Sequence, residues 1–183
     1  NLYLARLTGH GRGSAPMGDA TVNNWVNDAT EAMAIGRELG ERVVLIGTST
    51  GGTLATWAAA QPNNTAPDAL ILVSPNFKPV GSGAWLLTMP WGLEIAELIF
   101  GPERNFESTK ASGPSYWTKR YPTSAITVMM GLVDLVNATD LSTIQVPVLT
   151  LYSPNDGVVS AEATESALGR FGSKINEHLQ ILD

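Results

Sequence analysis

The 183 residues carry 17 acidic and 11 basic side chains, a formal net charge of −6. The length suits one domain with a sizeable core, while the acidic balance and the lack of any Lys/Arg run argue against a nucleic-acid partner, which needs a basic face. Without cysteine there is no disulfide, thiolate metal site or thiol nucleophile, and the compartment stays undecided.

Residues 2–7 are a short apolar run that ends in Thr8-Gly9-His10-Gly11, which predicts a strand entering a loop. A helix follows, with Val22, Trp25, Val26, Ala29, Met33 and Gly36 at three- and four-residue spacing. Asp19 or Thr21 can cap its start, and Gly40 can supply a left-handed residue past its end. Residues 42–46 contain Val43-Val44-Leu45-Ile46, a run that suits a parallel strand covered on both faces. A second helix is expected over 50–61, stopped by Pro62. Further strands are expected at 69–73, 148–152 and 179–182, with a helix at 160–168. Strands alternating with helices predict a parallel sheet with helices on both faces.

Between Pro75 and Val146 the pattern changes. Prolines and glycines recur around two helical patterns, 85–100, broken near Pro90, and 124–137. This segment is expected to be a helical insertion over the carboxyl ends of the strands. The division that follows is core at 1–76, helical lid at 77–145 and core again at 146–183. No membrane span is expected. The most apolar stretch, 84–100, holds Glu94, Glu97, Pro90 and Gly92, which a spanning helix tolerates poorly. The chain opens at Asn1 without a basic-then-apolar leader.

Gly47-Thr48-Ser49-Thr50-Gly51-Gly52 lies between the second strand pattern and a helix. This is G-x-S-x-G in the context that a nucleophile elbow requires. The serine must stand on a sharp, strained turn so that its hydroxyl clears the sheet, and small neighbours two residues away let strand and helix approach. The N–H of Thr50 then points at a developing oxyanion, aided by the helix dipole. A rival lies in the same residues. Residues 47–53 read G-x-x-x-x-G-T, one residue from a phosphate-binding loop, but Thr53 stands where that loop needs lysine.

A serine hydroxyl needs an imidazole to take its proton and a carboxylate to hold that imidazole. Asp156, in the turn Ser153-Pro154-Asn155-Asp156-Gly157 after the 148–152 strand, suits the acid; a plain Asx turn is the alternative, and its place after the serine in chain order favours the acid. Asp134 and Asp140 are weaker candidates because they lie in the insertion. His10 and His178 are the two histidines. His10 precedes the serine in a Gly-rich loop and is expected to hydrogen-bond locally. His178 follows both serine and acid but sits at the start of the last strand pattern rather than in a loop after it. The base is therefore expected beyond Asp183, with His178 as the alternative. Nothing in the sequence calls for a metal or cofactor.

The chain resembles the lipase and carboxylesterase branch of the α/β-hydrolase superfamily, in particular bacterial carboxylesterases and monoacylglycerol lipase or lysophospholipase-like proteins. The resemblance rests on Arg6-Leu7-Thr8-Gly9-His10-Gly11, on Trp25 with Asp28, on residues 47–53 and on Val146-Pro147 through Val158-Val159. It implies an α/β-hydrolase fold with a variable lid. It also implies that early strands, one oxyanion donor and the catalytic histidine lie outside these residues, and that one missing strand belongs between the 2–7 and 42–46 strands.

The expected activity is hydrolysis of a small-molecule carboxylic ester by Ser49, with Asp156 as the acid and Thr50 N–H in the oxyanion hole. The insertion is rich in Trp85, Leu86, Leu87, Met89, Trp91, Ile95, Leu98, Ile99, Phe100, Trp117, Met129 and Met130. These either line an acyl pocket or simply pack the lid, and together they favour an apolar acyl group. The alternatives are a non-catalytic binding protein of the same fold, and a thioesterase, amidase or peptidase using the same residues. Oligomeric state is not legible.

Overall fold

The bounded apolar runs form the centre of a parallel sheet. A computed structural model describes residues 1–62, 65–81, 84–105 and 120–181. Trp117 and Leu182, named above, lie outside the described residues. In chain order the described elements are α1 (Ala15–Gly18), α2 (Val22–Leu39), β1 (Val44–Thr48), α3 (Thr50–Ala59), β2 (Ala69–Val73), α4 (Gly92–Phe100), β3 (Glu103–Asn105), β4 (Arg120–Pro122), α5 (Ser124–Ala138), β5 (Val148–Tyr152), α6 (Ala161–Leu168) and β6 (Asn176–Gln180). They fall into two compact units. One holds Asn1–Ala5, Ala29–Ser82 and Leu132–Asp183; the other holds Arg6–Asp28 and Gly83–Gly131.

In the first unit the strands run in the order β1-β2-β5-β6, and every pair is parallel. Parallel register puts Leu45, Leu70, Val148 and Asn176 in one row and Gly47, Leu72, Thr150 and His178 in another. This face forms the core. Leu70, Leu72, Val148, Thr150 and Tyr152 are all nearly or fully buried. On the opposite face Val44 is 52% exposed, Ile46 60% and Leu179 57%. The expectation that the 42–46 run is covered on both faces is therefore corrected. Among the described residues β1 is an edge strand, and the side chains on its outer face are only partly covered.

Residues 2–7 are not a strand. Leu2 and Leu4 are about four-fifths exposed, and none of the segment is in a ladder. A strand exists only where a neighbour takes up its backbone N–H and C=O groups, and among the described residues none does. The last strand also differs, running over Asn176–Gln180 rather than 179–182, because β5 pairs with it through Val148↔Asn176.

Helix α2 begins with Thr21 as its cap. The Thr21 hydroxyl accepts the Asn24 N–H at 3.1 Å, and the Thr21 N–H donates back to Asn24 Oδ1 at 3.0 Å. Gly40 does not take the left-handed conformation. Its N–H closes an ordinary helical bond to Gly36 at 3.1 Å. Helix α6 starts at Ser160, whose hydroxyl accepts from Ala163 N–H at 3.1 Å.

In the second unit a 3₁₀ turn over Ala84–Thr88 precedes α4. Trp91 divides the two at φ 66°, next to the proline that signalled a break. A short antiparallel pair, β3 with β4, was not legible in the sequence. Asp28 accepts the Thr8 N–H at 2.6 Å and the Thr8 hydroxyl at 3.1 Å. Trp25 Nε1 donates to the Thr8 carbonyl at 3.0 Å.

Two substitutions test this core. Leu72 is 0% exposed, so Leu72→Ala is expected to lower the unfolding free energy by about 3 kcal/mol. Urea denaturation with an unchanged slope checks this. Asp68 joins α2 to β1 by accepting the Val43 N–H at 2.7 Å and pairing with Arg37. The Val43 N–H above all, with Arg37 beside it and burial opposing, holds the Asp68 carboxyl below its usual 3.8. A depressed carboxyl pKa adds stability above the unfolded value and loses it as pH falls through the folded one. Asp68→Asn is thus expected to destabilise at neutral pH and to match the parent well below pH 3.8. The carboxylate is 39% exposed, so solvent screening limits the loss to under about 1 kcal/mol. A gap that persisted in acid would contradict the assignment.

Candidate active site

β1 delivers Ser49 straight into α3. Its backbone sits at φ 52°, ψ −123°, a strained conformation for a side chain other than glycine. Gly47 lets the turn close against α3 and Gly52 lets the loop after β2 approach, whereas a Cβ on Gly51, expected to be excluded two residues after the serine, would meet nothing within 4 Å. A Cβ on Gly47 would lie 2.8 Å from Gly52 Cα, and one on Gly52 would lie 2.9 Å from Pro75 Cβ. The backbone of Ser49 is anchored at both ends. Its N–H donates to the Val73 carbonyl at 2.9 Å. Its carbonyl accepts from Gly52 N–H at 2.8 Å, Thr53 N–H at 3.2 Å and Asn76 N–H at 3.1 Å. The adjacent strand end is strained as well, with Ser74 at φ 42°.

Thr53, which rules out a phosphate-binding lysine, is 0% exposed. Its hydroxyl donates to the Asn76 carbonyl at 2.6 Å. Thr53 and Asn76 are the residues that sequence reasoning missed. The available signal was a hydroxyl side chain in the first turn of an apolar helix, four residues after the serine.

Asp156 lies beyond the carboxyl end of β5, and Ser49 lies at the carboxyl end of β1. With all strands parallel and only β2 between these two, the sheet brings both residues to the same end. Asp156 Oδ1 accepts the N–H groups of Val158 at 2.8 Å and Val159 at 3.1 Å, so the Asx turn is present. Asp140 is committed elsewhere. It caps the 3₁₀ turn Leu141–Thr143, accepting the Ser142 hydroxyl at 2.7 Å and the Ser142 N–H at 3.1 Å. The Ser142 bonds hold its carboxyl below the usual range. Asp134 is exposed on α5.

Neither histidine is brought to Ser49 by an element of the first unit. His10 belongs to the second unit, where its Nδ1 lies 3.3 Å from the Thr8 carbonyl and its ring 5.7 Å from that of Trp25. His178 lies within β6, level with Thr150, its ring 6.3 Å from that of Tyr152. It lines an open groove of about 500 Å³ with Glu165, Leu168, Gly169 and Asn176, on the core face rather than at the carboxyl end. Tyr152 donates to Glu165 at 2.7 Å, and burial raises its phenol pKa.

Of the apolar side chains expected in the insertion, Trp91 is 76% exposed and Leu98 87%. Met130 is buried, and Phe100 carries the Arg104 guanidinium 4.5 Å above its ring. Among the described residues no helix is long and apolar enough to cross a membrane.

A family model described as "serine aminopeptidase, S33" matches residues 2–183. The chain belongs to that family of α/β-hydrolases. Its fold is shared with solved structures of low sequence identity. A structure reported for the metagenome-derived lipolytic enzymes LipS and LipT superposes with a TM-score of 0.80 at 24% identity, covering 97% of this chain and 70% of that one. A soluble variant of monoglyceride lipase from Saccharomyces cerevisiae gives 0.62 at 15% identity, covering 95% and 65%. The monoacylglycerol lipase of Paleococcus ferrophilus gives 0.59 at 16% identity, covering 85% and 65%. The chain thus spans about two thirds of the length of the structures it matches. No curated protein matches it.

Proposed function

We propose that this chain is the nucleophile-bearing part of a serine hydrolase that cleaves carboxylic esters through an acyl-enzyme on Ser49. The observation that carries the reading is the strained serine between a parallel strand and a helix, with its carbonyl held by three N–H donors. Ser49 Oγ attacks the acyl carbonyl, an imidazole takes the hydroxyl proton, and Asp156 orients that imidazole. The tetrahedral oxyanion forms against the Thr50 N–H at the positive end of α3. The imidazole returns the proton to the leaving alkoxide, and water then releases the acid.

The segment between β2 and β5 is assigned the role of lid. Its exposed Trp91, Leu98 and Ile99 favour an apolar acyl group. The lipolytic enzymes among the structural neighbours point the same way. The family description favours a second reading, an aminopeptidase that uses the same residues.

One experiment separates these readings. The full-length protein is assayed on p-nitrophenyl acetate, butyrate and octanoate, on an aminoacyl p-nitroanilide, and with a fluorophosphonate probe. Ester turnover with one adduct supports the proposal. Turnover of the anilide alone supports the aminopeptidase. No turnover and no adduct would leave a binding protein that keeps the elbow unpowered.

A further inference from the structure

We infer that Thr53 is a positioning residue that aims the oxyanion donor of this site, acting through Asn76 and the Ser49 carbonyl. The inference rests on the proposed serine-hydrolase reading and adds to it a residue outside the G-x-S-x-G pattern.

The argument starts from peptide geometry. The Ser49 C=O and the Thr50 N–H belong to one planar trans unit and point in opposite directions, and no described peptide is cis. Whatever fixes the Ser49 carbonyl therefore fixes the Thr50 N–H. Two of the three N–H donors to that carbonyl, those of Gly52 and Thr53, come from the first turn of α3, where the Thr53 hydroxyl also lies 3.5 Å from it. The third comes from a different element. Asn76 N–H reaches the carbonyl at 3.1 Å from the loop after β2. That loop is tied back to α3 by the Thr53 hydroxyl, which donates to the Asn76 carbonyl at 2.6 Å. The result is a closed circuit from Ser49 to Asn76 to Thr53 and back to Ser49. Both Thr53 and Asn76 are buried, at 0% and 3% exposure, so water does not compete for these bonds.

The circuit also answers a local problem. Ser49 and Ser74 both have positive φ, and such residues persist only where the surroundings over-determine them. Without the Thr53 hydroxyl, the loop after β2 loses one of its links to α3, and the Asn76 N–H is held less firmly against the Ser49 carbonyl. The Gly52 and Thr53 N–H groups still hold that carbonyl from the helix side, so the Ser49–Thr50 peptide tilts from its aim rather than turning over. An oxyanion donor stabilises the transition state only when it is already aimed. Its misalignment lowers kcat while leaving ground-state binding, and hence KM, largely unchanged.

The test uses Thr53→Val, Thr53→Ala and Thr53→Ser in the full-length protein. Complete loss of one oxyanion donor costs about 100- to 1000-fold in kcat, so a misaimed donor is expected to cost roughly ten-fold. Thr53→Val and Thr53→Ala should show this loss with KM within about two-fold. The inhibition constant of an alkyl trifluoromethyl ketone, whose adduct carries an oxyanion, should rise by the same factor as kcat falls. Thr53→Ser should recover most of both. If Thr53→Val fails to fold, Thr53→Ala, which adds no bulk, is read in its place. A lowered Tm with kcat and ketone inhibition within two-fold of the parent would overturn the inference, making Thr53 a packing residue only. A parent that neither turns over esters nor takes a fluorophosphonate would instead refute the underlying reading. The two failures are thus distinguishable.

Discussion

Ser49→Ala in the full-length protein is expected to lower kcat on a short acyl ester by roughly ten-thousand- to a million-fold and to abolish fluorophosphonate labelling. The size of the effect follows from what the substitution removes. Serine and alanine share a Cβ, so the strain at φ 52° is the same for both, and the bonds that anchor Ser49 use its main-chain N–H and C=O. Alanine keeps all of these and loses only Oγ. The folded state should therefore be little changed, with a Tm within a few degrees of the parent. The loss of turnover would then belong to chemistry rather than to folding. Turnover undiminished in Ser49→Ala would end the assignment. Ligand binding retained in a variant whose parent also lacks turnover would favour the binding-protein reading.

What the sequence disclosed depended on where each signal was stored. β2 and β5 match their expected bounds to the residue, because each is an apolar run closed by polar or proline residues and paired on both sides. β1 begins two residues late. Arg42 and Val43 read as part of the run, but the Val43 N–H is taken by the Asp68 carboxylate instead of a ladder partner. β6 was expected three residues late, because it is Asn-Glu-His-Leu-Gln, a strand with a polar start that the apolar criterion cannot place and that β5 holds in register. Residues 2–7 failed in the opposite sense. Their apolar run was real, but strand formation needs a neighbour, and that information is not local to the run.

The site divides along the same line. Ser49 was legible because the close approaches around its turn require glycine at Gly47 and Gly52, and glycine leaves a mark in the sequence. The circuit through Asn76 was not, because all three of its links end on main-chain carbonyls and two of them also start from main-chain N–H groups, which nearly any residue possesses. The Asp156 turn was legible as a turn, and the strand order that carries it to the same end of the sheet as Ser49 came only with the fold.

Asp156→Asn should separate the two roles open to that residue. As a turn residue, Asp156 works through Oδ1, which accepts the Val158 and Val159 N–H groups. Asparagine carries the same acceptor in the same place, so the turn and the Tm should survive. As the acid of a serine hydrolase, Asp156 must accept a proton-bearing imidazole nitrogen and stabilise the imidazolium that forms during attack. An amide NH₂ cannot accept that bond, and it favours the wrong tautomer. The expected result is a fall in kcat of about ten-thousand-fold with secondary structure and Tm near those of the parent. Asp156→Ala should lose activity to a similar degree and in addition lower the stability by about 1 kcal/mol, because two N–H groups lose their acceptor. Retention of more than about a tenth of parental kcat in Asp156→Asn would reduce Asp156 to its turn. Asp140, whose Ser142 cap uses only Oδ1, and Asp134, exposed on α5, would then be the next carboxylates to replace.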